Sequence, residues 1–204
     1  MKRFLTLSLS AFFLLTTLTS FTWQTSLGLA SFASDNTWTI SNDTIRQIWS
    51  DAVQTDYCSD KTTFAGGNST DGFRIDCRSN PEFSGDLFSW RAVAEIENLC
   101  PYPWRVPTMQ DFRDLDIVMG GSGNNRGDTP QFVQENYITR WGGAFGGGSG
   151  SVGTLRNQGI WGHYWSSTEG DATLARNLNV NTNGLVSPQN WSNRGGGLSL
   201  RCVQ

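Results

Sequence analysis

Lysine, histidine and the common catalytic motifs are scarce in this 204-residue chain. Lysine occurs only at positions 2 and 61, and His163 is the one histidine. No CxxC pair or HExxH motif is present, so the sequence lacks the close ligand pairs of zinc sites. It also has no GxSxG motif and no phosphate-binding loop ending in Lys-Ser/Thr. These absences argue against zinc, serine-hydrolase and nucleotide chemistry.

The first 33 residues have the features of a secretory signal peptide. A basic start at Lys2-Arg3 precedes an apolar run over residues 4–18, and Ser31-Phe32-Ala33 fits the small-x-small cleavage pattern. The run is shorter than the roughly 20 apolar residues of a membrane span. We therefore predict a signal peptide at 1–33 and one secreted or surface-exposed domain at 34–204, with no membrane span after cleavage.

The predicted mature chain is acidic. Without Lys2 and Arg3 it has 13 Lys+Arg against 18 Asp+Glu, a net charge of −5. No basic stretch is present, which argues against nucleic acid and anionic membranes as partners.

All four cysteines lie in the predicted mature region, at Cys58, Cys77, Cys100 and Cys202. An even number of cysteines in an exported chain predicts two disulfides, with three possible pairings.

The apolar patterning predicts an α+β domain with two helices. Apolar residues repeat near a period of 3.6 from Phe88 to Leu99. A second helix follows Thr108, which is a candidate N-cap with Asp111 at the third helical position, and Gly120-Gly121 ends it.

Short strands complete the prediction as a small, mostly antiparallel sheet. About forty residues after the second helix are predicted as a Gly-rich loop, with glycine most frequent at residues 142–150. The predicted strands are Asp35–Ile40, Gly162–Ser167, Leu174–Val180 and Leu198–Val203.

Three motifs carry a family resemblance. Cys100-Pro-Tyr-Pro-Trp-Arg-Val-Pro-Thr108 resembles the CPxGWRxPT opening of the Fibrobacter succinogenes major paralogous domain family. Gly162-His-Tyr-Trp-Ser-Ser-Thr168 is similar to its GxYWSST strand, and Leu198-Ser-Leu-Arg-Cys-Val203 to its closing GxSVRCV. The resemblance is strongest over residues 85–203. Tyr102-Pro103 departs from the pattern, so the turn there must be built differently.

The resemblance implies a C-type-lectin-like fold, in which the terminal strands pair and long central loops carry binding. It also implies a Cys100–Cys202 bridge, which leaves Cys58 and Cys77 as the second pair. Members of the family are typically exported or surface proteins of Bacteroidetes-like bacteria, and the family has no agreed biochemical activity.

Calcium is a natural ligand to consider for a lectin-like fold. Ser187-Pro188-Gln189 and the segment 190–193 lack the carboxylates of the sugar-binding members. No acidic residue follows Asp171 up to Gln204, and calcium sites usually include Asp or Glu. We therefore expect no metal site and no cofactor.

An asparagine-rich segment is the predicted ligand-binding face. Asparagines alternate with Leu178 and Val180, so in a strand the aliphatic residues would face the core and the asparagines would be exposed. Asparagine and tryptophan suit carbohydrate or protein surfaces, and Trp141 in the loop is a further candidate. A solvated strand face followed by a turn is the alternative. The predicted binding residues are Asn177, Asn179, Asn181, Asn183, Asn190, Trp191, Asn193 and Arg194.

Two other features are interpreted as structural. A catalytic His163 would need a partner within hydrogen-bond reach, and Ser166 and Glu169 need not share its face of a strand. Arg126-Gly127-Asp128 spells a tripeptide that integrin-type receptors bind, but three-residue matches are common by chance.

We therefore predict a non-catalytic recognition module that binds a glycan or a surface protein outside the cell. A structural subunit of a surface appendage or matrix, self-associating through the exposed strand face, is the second hypothesis. An extracellular hydrolase is the third, because two-carboxylate chemistry needs no sequence motif.

Overall fold

The structure, a computed structural model, describes residues 31–32, 38–39, 45, 48–51, 58, 75–83 and 85–204. Most of the predicted signal peptide, with its cleavage point after Ala33, lies outside the described residues. The predicted strand Asp35–Ile40 is described only at Trp38–Thr39, where it is a strand. The described part has few helices, several antiparallel sheets and two disulfides, so the α+β prediction is confirmed.

Three helical segments lie in the continuous described stretch 85–204 and pack against the sheets. The first is shorter than predicted because Leu87–Phe88 is a strand, and Ser89 caps the helix by accepting a hydrogen bond from the Ala92 amide. The segments are α1 (Trp90–Glu95), α2 (Met109–Val118), and α3 (Pro130–Val133), which continues as a π-helix over Gln134–Arg140.

Within the described residues, the strands fall into two larger sheets and two small ladders, and each of these ladders is antiparallel. The three long strands are β9 (Trp161–Glu169), β10 (Leu174–Asn181) and β11 (Leu185–Asn193). The short strands are β1 (Ser31–Phe32), β2 (Trp38–Thr39), β3 (Trp49–Ser50), β4 (Cys77–Arg78), β5 (Leu87–Phe88), β6 (Arg126–Gly127), β7 (Gly148–Ser149), β8 (Leu155–Arg156), β12 (Gly197–Leu198) and β13 (Cys202–Val203).

The strand order places β10 inside its sheet. The four-stranded sheet has the order β6-β11-β10-β9, and the five-stranded sheet has the order β4-β5-β12-β7-β8. The ladders β1-β2 and β3-β13 stand apart from these two sheets.

The capping of α2 is as predicted. The Thr108 hydroxyl accepts from the Asp111 amide at 3.2 Å, and the Asp111 carboxylate accepts from the Thr108 amide at 2.6 Å. Arg105 also donates to the Asp111 carboxylate at 2.7 Å. Asp therefore serves in the capping box in place of Glu or Gln.

The forty-residue loop prediction was wrong in part, because α3, its π-helical extension and strands β7 and β8 lie within that stretch. The Thr129 hydroxyl caps α3 by accepting from the Phe132 amide at 3.0 Å, and Pro130 occupies the first turn. Proline after a capping residue favours a helix start because its missing N–H needs no partner there.

Strand β11 was also missed, since residues 190–194 were interpreted as a turn. Asn177 pairs with Asn190, whereas Asn179 pairs with Ser187, so the register shifts around Pro188. A proline donates no ladder hydrogen bond and is tolerated at such a bulge.

The core has two clusters of buried side chains. The first is centred on Trp141, which is fully buried and makes an edge contact with Tyr164 at 4.7 Å between ring centroids. Trp141 is therefore a core residue and was wrongly considered as a loop ligand contact. The second cluster contains Phe88, Trp165 and Leu198 together with all four cysteines.

Both predicted disulfides are present, Cys100–Cys202 and Cys58–Cys77, with Cα–Cα distances of 5.6 and 5.5 Å. The bond to Cys202 fixes β13, whose Val203 pairs with Trp49 on one side and bridges to Arg105 on the other. The turn at Tyr102-Pro103 contains a cis peptide bond.

Candidate functional site

The asparagines of β10 do not form an exposed face, so that prediction was wrong. Asn177 is completely buried, and Asn179 and Asn181 are 7% and 6% exposed. Leu178 points to the other face of β10 and lies in the first core cluster. Trp165 of β9 pairs with Asn177, so it is on the asparagine face, and it lies in the second cluster. Both faces of β10 are therefore covered, and the self-association hypothesis loses the exposed strand face on which it rested.

The remaining predicted residues fall into different environments. Asn183 is exposed in the turn after β10, where the Asn181 side chain accepts from the Asn183 amide at 2.9 Å. Asn190 is half-buried, and Asn193 is exposed. Arg194 is buried, and its guanidinium carbon lies 4.2 Å from the Trp90 ring centroid.

Trp191 is 42% exposed, but its ring is in contact with Arg176 and with the backbone of Gly170. The guanidinium carbon of Arg176 lies 3.2 Å from the Trp191 ring centroid, and Arg176 also donates to the Gln189 carbonyl at 2.7 Å. The Gly170 backbone approaches the ring closely enough that no side chain would fit there. Trp191 therefore packs against neighbouring segments at the end of β11, and its ring face is not free to stack on a ligand.

A cleft of about 430 Å³ lies beside this segment, between β7, the loop at residues 150–151 and the end of β11. Of the eight predicted binding residues, only Asn193 lines it. The polar residues that line it are Ser149, Ser151, Arg156, Asn157, His163, Ser192 and Asn193. We call this site the cleft.

Gly148 allows the cleft to form. A Cβ atom at this position would lie 2.9 Å from the Gly197 carbonyl oxygen, 3.0 Å from the Leu198 side chain and 3.7 Å from the imidazole Cδ2 of His163. The absence of a side chain thus lets β12 pair closely with β7 and lets the His163 ring lie next to β7.

His163 is held in one orientation from two directions. Its ring stacks on Trp161, with 5.4 Å between centroids and an interplanar angle of 2°. Its Nδ1 is hydrogen-bonded to the amide oxygen of Asn179, which also accepts from Asn177 Nδ2 at 2.8 Å. An amide oxygen only accepts, so Nδ1 carries the hydrogen and Nε2 remains an acceptor.

The protonation state of His163 follows from its burial. Burial lowers the pKa of His163 below its ordinary value of 6.5, and the hydrogen bond to Asn179 opposes that change only in part. The imidazole is therefore neutral at pH 7. The two buried asparagines act on the cleft through this ring and do not line it themselves.

The family assignment rests on most of the chain. The Fibrobacter succinogenes major domain matches residues 32–204. The chain belongs to the Fibrobacter succinogenes major domain family. No match was found among the curated proteins or among the solved structures.

Two of the three motifs of this Fibrobacter major domain each contribute one residue, His163 or Leu198, to the cleft. The segment Gly162–Thr168 lies within β9 and brings His163 to the cleft, and Leu198–Val203 spans β12 and β13. His163 occupies the variable second position of the GxYWSST pattern, so the motif fixes the strand but not this side chain.

The hydroxyl of Ser149 is a buried polar group that no described residue hydrogen-bonds. The residue is 8% exposed. Most buried polar atoms are paired. Sequence reasoning missed Ser149, Arg156 and Asn157 because they lie in the stretch predicted as loop, where no periodicity marks them.

Two further observations concern only the described part of this Fibrobacter major domain. There, no group of three or more His, Cys, Asp or Glu side chains is placed to hold a metal ion. No helix in the same part is long and apolar enough to cross a membrane. The two disulfides are consistent with folding in an oxidising, extracellular compartment.

The Arg126-Gly127-Asp128 tripeptide is part of the fold. Arg126 Nη1 lies 2.6 Å from the fully buried carboxylate of Asp116, and Arg126 Nε lies 3.1 Å from the Asp128 carboxylate. The Tyr137 hydroxyl donates to the same Asp116 carboxylate. The two charged side chains of the tripeptide are therefore held in ion pairs within the domain.

Proposed function

We propose that this chain is a non-catalytic extracellular recognition module that binds a glycan in the cleft. The observation that carries the proposal is Ser149, which lines the cleft beside His163 and whose buried hydroxyl has no hydrogen-bond partner among the described residues. Sugar hydroxyl groups both donate and accept hydrogen bonds. They complement Ser149, the Nε2 acceptor of His163 and the amides of Asn157 and Asn193.

The arrangement around His163 supports binding over catalysis. A general base of the serine-hydrolase kind accepts a hydrogen bond from a nucleophile and is oriented by a carboxylate. Here an amide orients the imidazole, and the Ser149 hydroxyl makes no hydrogen bond with it. A neutral imidazole in a fixed orientation is suited to accepting a ligand hydroxyl.

We also propose that the fold is C-type-lectin-like. The pairing of β3 with β13, the Cys100–Cys202 bond and the position of the cleft beside the loop at residues 150–151 support this proposal. In this interpretation the ligand site lies on the loop side of the domain. Its polar lining contains no acidic residue for calcium.

A glycan-array screen tests the proposed function. The full-length chain, expressed in an oxidising compartment, is screened with calcium and again with a chelator. We expect binding that survives chelation. For the glycans bound, Ser149→Ala should weaken affinity about fivefold, the value of one neutral hydrogen bond.

Ser122→Ala is the matched control, because Ser122 lies in the exposed turn after α2 and away from the cleft. It should bind like the wild type. A blank array, or equal effects of the two serine substitutions, would contradict glycan binding in the cleft. Binding that requires calcium would contradict the expectation of no metal.

A further inference from the structure

Arg156 differs from the other arginines that the structure describes. The others each have an ion pair, hydrogen bond or ring contact, as in the pairs Arg194–Glu169 and Arg201–Asp51. The Arg156 side chain makes no such contact with any described residue. An uncommitted guanidinium in a cleft has its full hydrogen-bonding capacity available for a ligand.

The local backbone determines where this guanidinium lies. Arg156 is in β8, directly opposite Gly148 of β7. Its guanidinium covers Gly150, where a Cβ atom would lie 3.2 Å from Nη2 and 3.3 Å from Cζ. Because Gly150 has no side chain, the guanidinium can fold over the loop that borders the cleft.

The charge balance of the cleft is positive, although the predicted mature chain is acidic. Among the described residues that line the cleft, Arg156 is the one with a permanent charge, and none is Asp or Glu. A guanidinium binds a carboxylate or sulfate through two parallel hydrogen bonds. The amides of Asn157 and Asn193 are further donors for an anionic group.

We propose that the cleft selects acidic glycans, with Arg156 binding the carboxylate or sulfate of the sugar. This inference rests on the proposed function, because it specifies the chemical class of the glycan. His163 and Ser149 then bind the sugar hydroxyl groups, and Arg156 supplies the discrimination against neutral sugars.

Matched oligosaccharides test the inference directly. Binding of a galacturonic acid trisaccharide, its fully methyl-esterified form and a sulfated galactose trisaccharide is measured by calorimetry with the full-length oxidised chain. We expect one of the acidic sugars to bind about tenfold more tightly than the neutral ester, as for a hydrogen bond to a charged group. The preference should decrease at high salt, because Arg156 is exposed.

Two substitutions separate the charge from the position of the guanidinium. Arg156→Gln should remove the preference for the acidic sugar, weakening its binding much more than that of the ester, because glutamine carries no charge to pair with the anion. Gly150→Ala keeps the charge but displaces the guanidinium, so it should reduce the preference in part. Arg91→Gln is the control, because it removes the same charge from a partly exposed α1 ion pair with Glu95, away from the cleft.

The outcomes distinguish the two proposals. If acid and ester bind equally to the wild type and to Arg156→Gln, the acidic-ligand inference is wrong while glycan binding stands. If no sugar binds, the proposed function fails and the inference fails with it. Arg156-dependent binding of acidic peptides without any sugar would assign the cleft to a protein partner and overturn both.

Discussion

At the residue scale, Asn177 and Asn179 influence the cleft only through His163. Both asparagines are buried, and the hydrogen bond from Asn177 to Asn179 holds the amide oxygen that orients the imidazole. The ring stacks on Trp161, so its Nε2 has a defined direction. These asparagines are positioning residues, and their substitution should alter the proposed glycan binding only by reorienting His163.

His163 should also make the stability of the domain depend on pH. Burial lowers its pKa in the folded state, so the unfolded chain takes up the proton at a higher pH than the folded chain does. The contribution of neutral His163 to the free energy of unfolding is therefore fully present above the ordinary pKa of 6.5. It is lost as the pH falls from there towards the folded-state pKa. We expect the urea midpoint to decrease between about pH 7.5 and pH 5.

His163→Gln is the comparison for this pH effect, because glutamine stays neutral over the range while the carboxylates of the two proteins titrate alike. The substituted protein should lose less stability on acidification than the wild type. Parallel curves for the two proteins would show that protonation of His163 does not couple to folding.

At the element scale, the capping box makes α2 sensitive to one hydroxyl group. Thr108→Ala removes the acceptor for the Asp111 amide and also the hydroxyl that donates to the Asp111 carboxylate at 2.7 Å. We expect a loss of about 1 kcal/mol in the free energy of unfolding, measured with urea. Thr108→Ser keeps the hydroxyl and should stay close to the wild type; a loss as large as that of alanine would contradict the role of the cap.

The same helix shows which elements can be predicted from sequence. The capping box and the end at Gly120-Gly121 are local signals, and both residues of the box lie where the sequence predicts them. The start of α3 at Thr129-Pro130 is equally local and was overlooked. Strand β11 was missed because Pro188 argues against an inner strand, and only the register shift opposite β10 accommodates it.

Burial of the β10 asparagines could not be predicted from alternation alone. Alternating residues show that a strand has two different faces, but not whether a second layer covers the polar one. That layer comes from distant segments: Leu198 and Phe88 pack with Trp165 and Ala175 beneath the asparagine face. The cleft residues Ser149 and Arg156 lie on two-residue strands, too short to show any period.

At the scale of the whole molecule, the two disulfides should contribute unequally to stability. Cys100–Cys202 spans 102 residues and Cys58–Cys77 spans 19. The chain-entropy model gives about 5 kcal/mol for the long loop and about 3 kcal/mol for the short one. Replacing both cysteines of the long-range pair with alanine should therefore lower the urea midpoint more than replacing the other pair.

Reduction provides the control for this prediction. The variant that lacks Cys58 and Cys77 should lose further stability in dithiothreitol, because its Cys100–Cys202 bond can still be reduced. No further change on reduction, or equal losses in the two double variants, would contradict a dominant long-range bond.

The position of β12 has a consequence for how the chain acquires its shape. Leu198 pairs with both Phe88 and Gly148, so the five-stranded sheet has no centre until residue 198 has emerged from the ribosome. Contacts between such distant segments form slowly, because the chain between them must first be brought together. Until then the two halves of that sheet are separate pieces, and the wall of the cleft formed by β7 and β12 does not exist. The proposed binding site is thus among the last parts of the domain to form.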